Sequence, residues 1–259
     1  MLNYLKYFFI KINKKNVIGI KSGSGRNYLG TICVRHKFGG IKNKYRHIDF
    51  YRRINNYGYV YKILTDVYRT ANIGGIIYSN GLFAYIILSE NISLGKLIFS
   101  GINNENDTVG YTLLLNNVKL FSIINNIELY PNKGFSLSRA AGSSCILTSM
   151  QDKDTVTLKL KSGWNIFLSK KCLASSGCVS NVKHKFNNLK KAGISWALGN
   201  RPSVRGVAMN PCDHPHGGGE GKKSPPSAQK SPWGWFTKGT ASLKKKYERK
   251  KKKLYKNIK

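Results

Sequence analysis

What this chain can fold into is limited most by short strand-forming runs that turn back on themselves. Ile76-Ile77-Tyr78 and the run from Leu82 to Leu88 flank Ser79-Asn80-Gly81. Asn-Gly is the strongest short hairpin signal, because the tight turns that match strand twist need positive φ. Thr155 to Leu160 alternates cleanly and puts Val156, Leu158 and Leu160 on one face. A turn at Lys161-Ser162-Gly163 leads into Trp164 to Leu168, which alternates again. Tyr59 to Leu64 is dense in β-formers. With no long helical period between them, these runs predict two small antiparallel barrels.

Composition shifts divide the chain into zones. Residues 1–30 form a basic entry segment that ends in loop chemistry at Gly23-Ser24-Gly25-Arg26-Asn27. The β zones cover 31–112 and 113–190. From about Asn181 the apolar pattern dissolves into Lys, Gly, Pro and isolated Trp, so 191–259 is expected to be an extended segment. Its end, Ala241 to Lys259, holds ten Lys or Arg and one acid, Glu248. Alone, such a run reads as a solvated tail; beside a folded basic domain it reads as an arm that orders against a polyanion.

The charge names the class of partner. Lys and Arg number 44 against 11 Asp and Glu in 259 residues, a formal net charge of +33. Solubility needs far less, and self-repulsion on that scale calls for nucleic acid or an anionic membrane surface. The basic residues do not line an amphipathic helix with an apolar face, and no run approaches the ~20 apolar residues of a membrane span. Nucleic acid remains, with strongly salt-dependent binding.

Other classes fall away on spacing. Cys33, Cys145, Cys172, Cys178 and Cys212 are odd in number and scattered, which argues for a reduced compartment and against a disulfide framework. No CxxC pair is present, so no zinc knuckle is expected. The stretch Tyr7 to Ile10 is too short for a secretory core, and no arginine precedes Arg26, unlike a transit peptide. Abundant Asn, Lys, Ile and Tyr, the residues of AT-rich codons, point to synthesis inside an organelle.

Three segments carry candidate chemistry. The first runs from Gly25 to Arg53. There Arg26, Arg35, Lys37, Lys42, Lys44, Arg46, Arg52 and Arg53 offer phosphate forks, and His36, Tyr45 and Tyr51 offer faces to unstacked bases. The second runs from Arg201 to Lys222 through Arg205, Asn210, Pro211, Asp213, His214, Pro215, His216, Gly217 and Gly218. Its prolines and glycines exclude helix and regular strand, and its backbone cannot be buried in an apolar core. It is therefore disordered or held against something polar. Asp213 and His214 are adjacent and seldom-facing neighbours with no nucleophile nearby, so no catalytic residue is expected. Cys212, Asp213, His214 and His216 are metal-ligand types without a compact spacing, so no metal and no cofactor is expected. A phosphate-binding P-loop fails on His216 and Lys223, and Gly23-Ser24-Gly25 fails the dinucleotide fingerprint at Tyr28. The third segment, Lys230 to Gly239, sets Trp233, Trp235 and Phe236 between lysines, including Lys238, as stacking or packing anchors.

Together these segments resemble the universal large-subunit ribosomal protein family designated L-two. The likeness lies in Arg205 to Pro211, Asp213 to Gly221, Ser231-Pro232-Trp233-Gly234 and Thr237-Lys238-Gly239. Upstream it includes Gly25-Arg26-Asn27, Arg35-His36, Tyr45-Arg46, Ile48-Asp49-Phe50, Arg69 to Ile73, Arg139 to Gly142 and Lys191-Ala192-Gly193. The pattern departs at Phe38, where glycine is usual, and at Ile41, where histidine is usual. The resemblance implies a mainly β protein: an OB-type barrel at 31–112, an SH3-like barrel at 113–190, and extended basic segments at both ends. It implies binding to large-subunit ribosomal RNA, neighbouring ribosomal proteins, and contact with the small subunit at an intersubunit bridge. The segment around Asp213, His214 and His216 is expected near the peptidyl-transferase centre, supporting RNA rather than moving protons. Arg69, Arg139 and Arg201 join the RNA-binding set. The expected location is an organellar ribosome in the mitochondrial matrix, with a plastid or a bacterial-type cytoplasm as the alternative.

Overall fold

The computed structural model describes residues 16–102, 106–150, 154–221 and 228–238. Two compact units emerge. One runs through Lys21 and resumes from Lys42 to Lys190; the other combines Ser22–Ile41 with the chain from Lys191 on. Lys222 and the Lys-rich stretch 241–259 lie outside the described residues.

The first unit is built almost entirely of antiparallel strands. Its first strand, β1 (Val17–Ile20), pairs with β2 (Asn43–Arg46). A four-stranded sheet follows, from β3 (Asn56–Leu64), β4 (Ile73–Tyr78), β5 (Phe83–Ile87) and β6 (Leu97–Ser100), in the order β5-β4-β3-β6. The hairpin at Asn80-Gly81 forms as expected: the Tyr78 amide donates to the Leu82 carbonyl at 2.9 Å, and Gly81 takes φ +78°. A bulge between Val60 and Lys62 bends β3 against β4. Val60, Ile76, Tyr78, Ile86, Leu88, Ile92 and Ile98 fill one face of this sheet.

A six-stranded sheet comes next. It comprises β7 (Thr112–Leu114), β8 (Ile123–Asn125), β11 (Cys145–Met150), β12 (Thr155–Leu160), β13 (Asn165–Ser169) and β14 (Leu173–Ser176), with β9 (Ile127–Glu128) and β10 (Phe135–Leu137) as a separate pair. The alternation at 155–160 does what its period requires. Val156 and Leu158 are fully buried, and Leu160 packs against the same core as Leu113, Ile124, Leu147 and Leu168. Sheets of this size, twisted and closed on one apolar face each, have the curled form of small barrels.

Arg52 and Glu128 are buried ionic groups of this unit. Arg52 is only 2% exposed and donates through Nε to Ser100 Oγ, through Nη1 to Ser175 Oγ, and through Nη2 to the carbonyls of Phe99 and Gly110. Burial pulls its pKa below the ordinary arginine value, against the raising effect of Tyr78 and Asp49. Glu128, fully buried, accepts from Arg53 Nη2 and from the amides of Gly134 and Leu173. Arg52 and Arg53, read from sequence as phosphate forks, are thus spent inside the fold.

In the second unit the one α-helix among the described residues, α1 (Ala192–Ala197), is short and uncapped by any side chain. Strand-like exchange joins the early and late segments here: the Phe38 amide donates to the Gly199 carbonyl, the Ile41 amide to the Ala197 carbonyl, and the Arg201 amide to the His36 carbonyl. Phe38 stacks on Trp196 with ring centroids 5.0 Å apart. The departure from glycine at Phe38 therefore has a local partner within the same unit.

Candidate nucleic-acid interface

Cations in the first unit are held in place by what lies under them. Phe50 packs with Ala71, Ile87 and Val179. Over its ring stand two guanidinium groups, Arg69 and Arg139, each 5.1 Å from the centroid. A ring face attracts a cation without neutralising it, so the ring holds both groups without cancelling their charge. Arg69 is also 3.5 Å from Asp66, and Arg46 meets the same carboxylate at 2.9 Å. One buried acid thus aligns two basic side chains. The stretches around the two arginines are tied together: the Ala141 amide donates to Thr70 Oγ1 and Asn181 donates to the Thr70 carbonyl. Tyr45 meets His47 and Tyr68 edge-on at 5.4 and 5.6 Å, while Lys42 and Lys44 are exposed.

The second unit presents the remaining candidates. Asn27 is structural as well as polar, since its Oδ1 accepts from the amides of Leu29 and Thr31 and shapes an exposed turn. Arg26, Arg35, His36 and Lys37 are exposed, and Lys37 Nζ donates to Asn200 Oδ1 at 2.6 Å. Arg201 and Arg205 are exposed on the chain that leaves α1. Asn200 and Trp196, which hold this arrangement, carry no local sequence signal; only their partners, far away in the chain, give them meaning.

Over the described residues 205–221 the glycine-rich loop is closed by hydrogen bonds of its own. After a single 3₁₀ turn at Gly206–Ala208, the Asn210 carbonyl accepts from Asp213 and His214, and the Met209 carbonyl accepts from Gly218. His214 is 8% exposed, with its ring pressed against Gly206; a Cβ there would stand 2.5 Å from ring atoms. His214 Nδ1 accepts from the His216 amide at 3.0 Å, and His216 Nε2 accepts from the Lys230 amide at 3.1 Å. An imidazole nitrogen that accepts carries no proton, so His214 is protonated on Nε2 and His216 on Nδ1. Gly217 fits where a Cβ would fall 2.2 Å from the Asn210 carbonyl oxygen, and Gly218 takes φ +86°. Asp213 is exposed while His214 is buried with Nδ1 occupied, so they do not form an acid–base pair. Among the described residues, no three His, Cys, Asp or Glu side chains converge as a metal site.

Beyond the loop, Gln229 to Thr237 closes a small hairpin. The Ser231 amide donates to the Trp235 carbonyl, and Lys230 Nζ lies 5.6 Å from the Phe236 ring. Trp233, Trp235 and Phe236 are 61%, 77% and 54% exposed, which favours presentation over a buried plug. Lys238 is exposed beside them.

A mainly β fold carrying ring-packed guanidiniums, a glycine-rich loop closed by its own hydrogen bonds and uncovered aromatic rings has the features of a nucleic-acid-binding protein. Comparison with known proteins sharpens that class. The family model described as Ribosomal Proteins L2, RNA binding N-terminal domain, matches residues 14–100, and the one described as Ribosomal Proteins L2, C-terminal domain, matches residues 108–234. The chain is 42% identical over 238 residues to the large ribosomal subunit protein uL2m of Reclinomonas americana, spanning 91% of this chain and 86% of that protein. It is 42% identical over 236 residues to uL2 of Wolbachia pipientis subsp. Culex pipiens, spanning 91% of this chain and 85% of that protein. It is 44% identical over 223 residues to uL2c of Helicosporidium sp., spanning 85% and 78%. The chain belongs to the ribosomal L2 family, whose members are structural proteins of the ribosome rather than enzymes.

Proposed function

We propose that this protein is a structural constituent of the large ribosomal subunit that binds large-subunit ribosomal RNA and supports the region around the peptidyl-transferase centre. The observation that carries the reading is the pair Arg69 and Arg139 over Phe50. Two guanidinium groups held on one packed ring are suited to neighbouring phosphates, and the cost of ordering them is met by the fold rather than by RNA.

Around that pair, the RNA-binding set comprises Arg26, Asn27, Arg35, His36, Lys37, Lys42, Lys44, Tyr45, Arg46, Arg201, Arg205, Asn210, Asp213, His214, His216, Gly217, Gly218, Lys222, Trp233 and Lys238. Asn27, His214, Gly217 and Gly218 act by shaping backbone that approaches RNA. The OB-like barrel is assigned to 31–112, the SH3-like barrel to 113–190 and the RNA-penetrating segment to 191–259. Neighbouring ribosomal proteins and a bridge to the small subunit complete the contacts. The reading places the protein in the mitochondrial matrix, in keeping with its AT-rich codon residues and the mitochondrial uL2m among its relatives.

Gradient sedimentation of native extract tests this. The protein is expected to travel with the large subunit and its assembly precursors at moderate salt; its absence from both overturns the reading. Fractionated organelles then assign the compartment.

A further inference from the structure

The outer face of the four-stranded sheet carries rings that neither the core nor the aligned cations use. Along β3, Tyr57 and Tyr59 alternate with Gly58 and Val60; the latter two are buried, while Tyr57 is 49% and Tyr59 42% exposed. Strand register sets Tyr59 opposite Ile77 of β4 and Leu97 of β6, and sets Ile77 opposite Phe83 of β5. Alternation then puts Tyr57, Tyr59, Ile77, Phe83 and Leu97 on one face, with Leu97 56% exposed.

Both ends of this strip are anchored. Tyr57 meets Phe99 edge-on at 4.9 Å, and Phe99, 6% exposed, packs in turn with Tyr111. At the other end Tyr61 lies over Gly75, where a Cβ would come within 2.4 Å of Tyr61 Cε1, and meets Phe83 at 5.4 Å. Tyr59 stands between two braced ring clusters. The solvent face of an antiparallel sheet is normally polar, and scattered apolar residues there need no explanation, but a row of them does. The four strands contain no acid, Lys62 is exposed on β3, and Lys96 precedes β6 with its carbonyl accepting from the Val60 amide.

We infer that this face is a stacking platform for single-stranded RNA, with Tyr59 and Tyr57 taking unpaired bases and Lys62 and Lys96 taking the adjacent phosphates. The inference rests on the ribosomal-RNA reading and goes beyond it, because it assigns base contact to Tyr57 and Tyr59, at the β3–β6 side of the sheet, rather than to the Arg69–Arg139 pair, whose Phe50 packs by Ile87 of β5. Aromatic faces accept any base, and the acid-free lysine border suits a polyanion.

The test uses the full chain with two probes: a single-stranded RNA decamer carrying 4-thiouridine, and a duplex of the same length. Tyr57→Ala/Tyr59→Ala is expected to weaken decamer binding about tenfold or more while the salt dependence keeps its slope, because stacking releases no counterion. Tyr57→Phe/Tyr59→Phe is expected to bind as the parent does, and duplex binding is expected not to change. Light-induced cross-links from the decamer are expected at positions 57 and 59. Should the double alanine variant melt early, Tyr59→Ser alone is used, with the same expected loss of affinity. Unchanged decamer affinity, with ribosomal-RNA binding intact, overturns the platform and leaves the wider reading standing. Failure of the parent chain to bind ribosomal RNA overturns both. Cross-linking of position 59 to a protein in the assembled subunit replaces RNA by a protein partner and likewise overturns the platform.

Discussion

Arg52 Nη1 donates to Ser175 Oγ across 3.2 Å, joining the four-stranded sheet to β14 of the six-stranded one. The same guanidinium serves Ser100, Phe99 and Gly110, so one side chain satisfies acceptors from both sheets. Replacing it by methionine leaves those acceptors buried without a donor. Arg52→Met is expected to cost about 3–5 kcal/mol, the range for breaking a buried charged network. Urea unfolding followed by hydrogen exchange should show the two sheets losing their common transition. Arg52→Lys is expected to rescue little, because an ammonium has three donors and no planar fork.

Alkaline pH should expose a second buried dependence. Cys172 is fully buried and its thiol is pushed up to about 11, first by burial and then by the negative charge of Glu128. Burial also raises Cys145 and Tyr78. A raised folded-state pKa means that the folded protein holds its proton more tightly than the unfolded chain. The Cys172 contribution is therefore complete below pH 9 and is lost as pH rises through about 11. The urea midpoint should fall over that window, and less steeply in Cys172→Ala. A thiol reagent at neutral pH should modify exposed Cys33 and Cys212 rapidly, and Cys145 and Cys172 only on unfolding.

The loop at 205–221 predicts its own spectroscopy. Nitrogen-15 shifts should report His214 as the Nε2–H tautomer and His216 as the Nδ1–H tautomer. Gly206→Ala forces a methyl group into the His214 ring and should release both histidines from these tautomers. The melting of the two β-sheets should be unaffected, which separates a loop defect from a folding defect.

Salt dependence reads the Arg69–Arg139 pair. Arg69→Gln and Arg139→Gln should each weaken binding to a large-subunit RNA fragment and each reduce the slope of log affinity against log salt by about 1. Phe50→Leu keeps both charges but removes the ring beneath them, so affinity should drop with the slope maintained.

Much of this was legible in the chain because its signals are local. Asn80-Gly81 announces a hairpin whatever surrounds it, and Thr155 to Leu160 reveals its buried face through period alone. The segment around His214 carries the family resemblance in its motif, but not the sign that its hydrogen bonds close on themselves. What sequence could not show depends on distant partners. Arg52 and Arg53 look like any basic pair until Ser175 and Glu128 arrive beside them. Phe38 looks like a misplaced bulky residue until Trp196 is stacked upon it. Tyr57 and Tyr59 read as ordinary strand residues, and only the register of β6 and the closure of Phe99 leave them uncovered.

The second unit draws on Ser22–Ile41 and on chain that begins at Lys191. During synthesis the earlier part therefore precedes its complement by about 150 residues, or about 8–30 s at ordinary rates of elongation. Both β-sheets can be complete while that half waits. A chain ended between Ser176 and Lys191 would carry every strand of both sheets but only the Ser22–Ile41 part of the second unit.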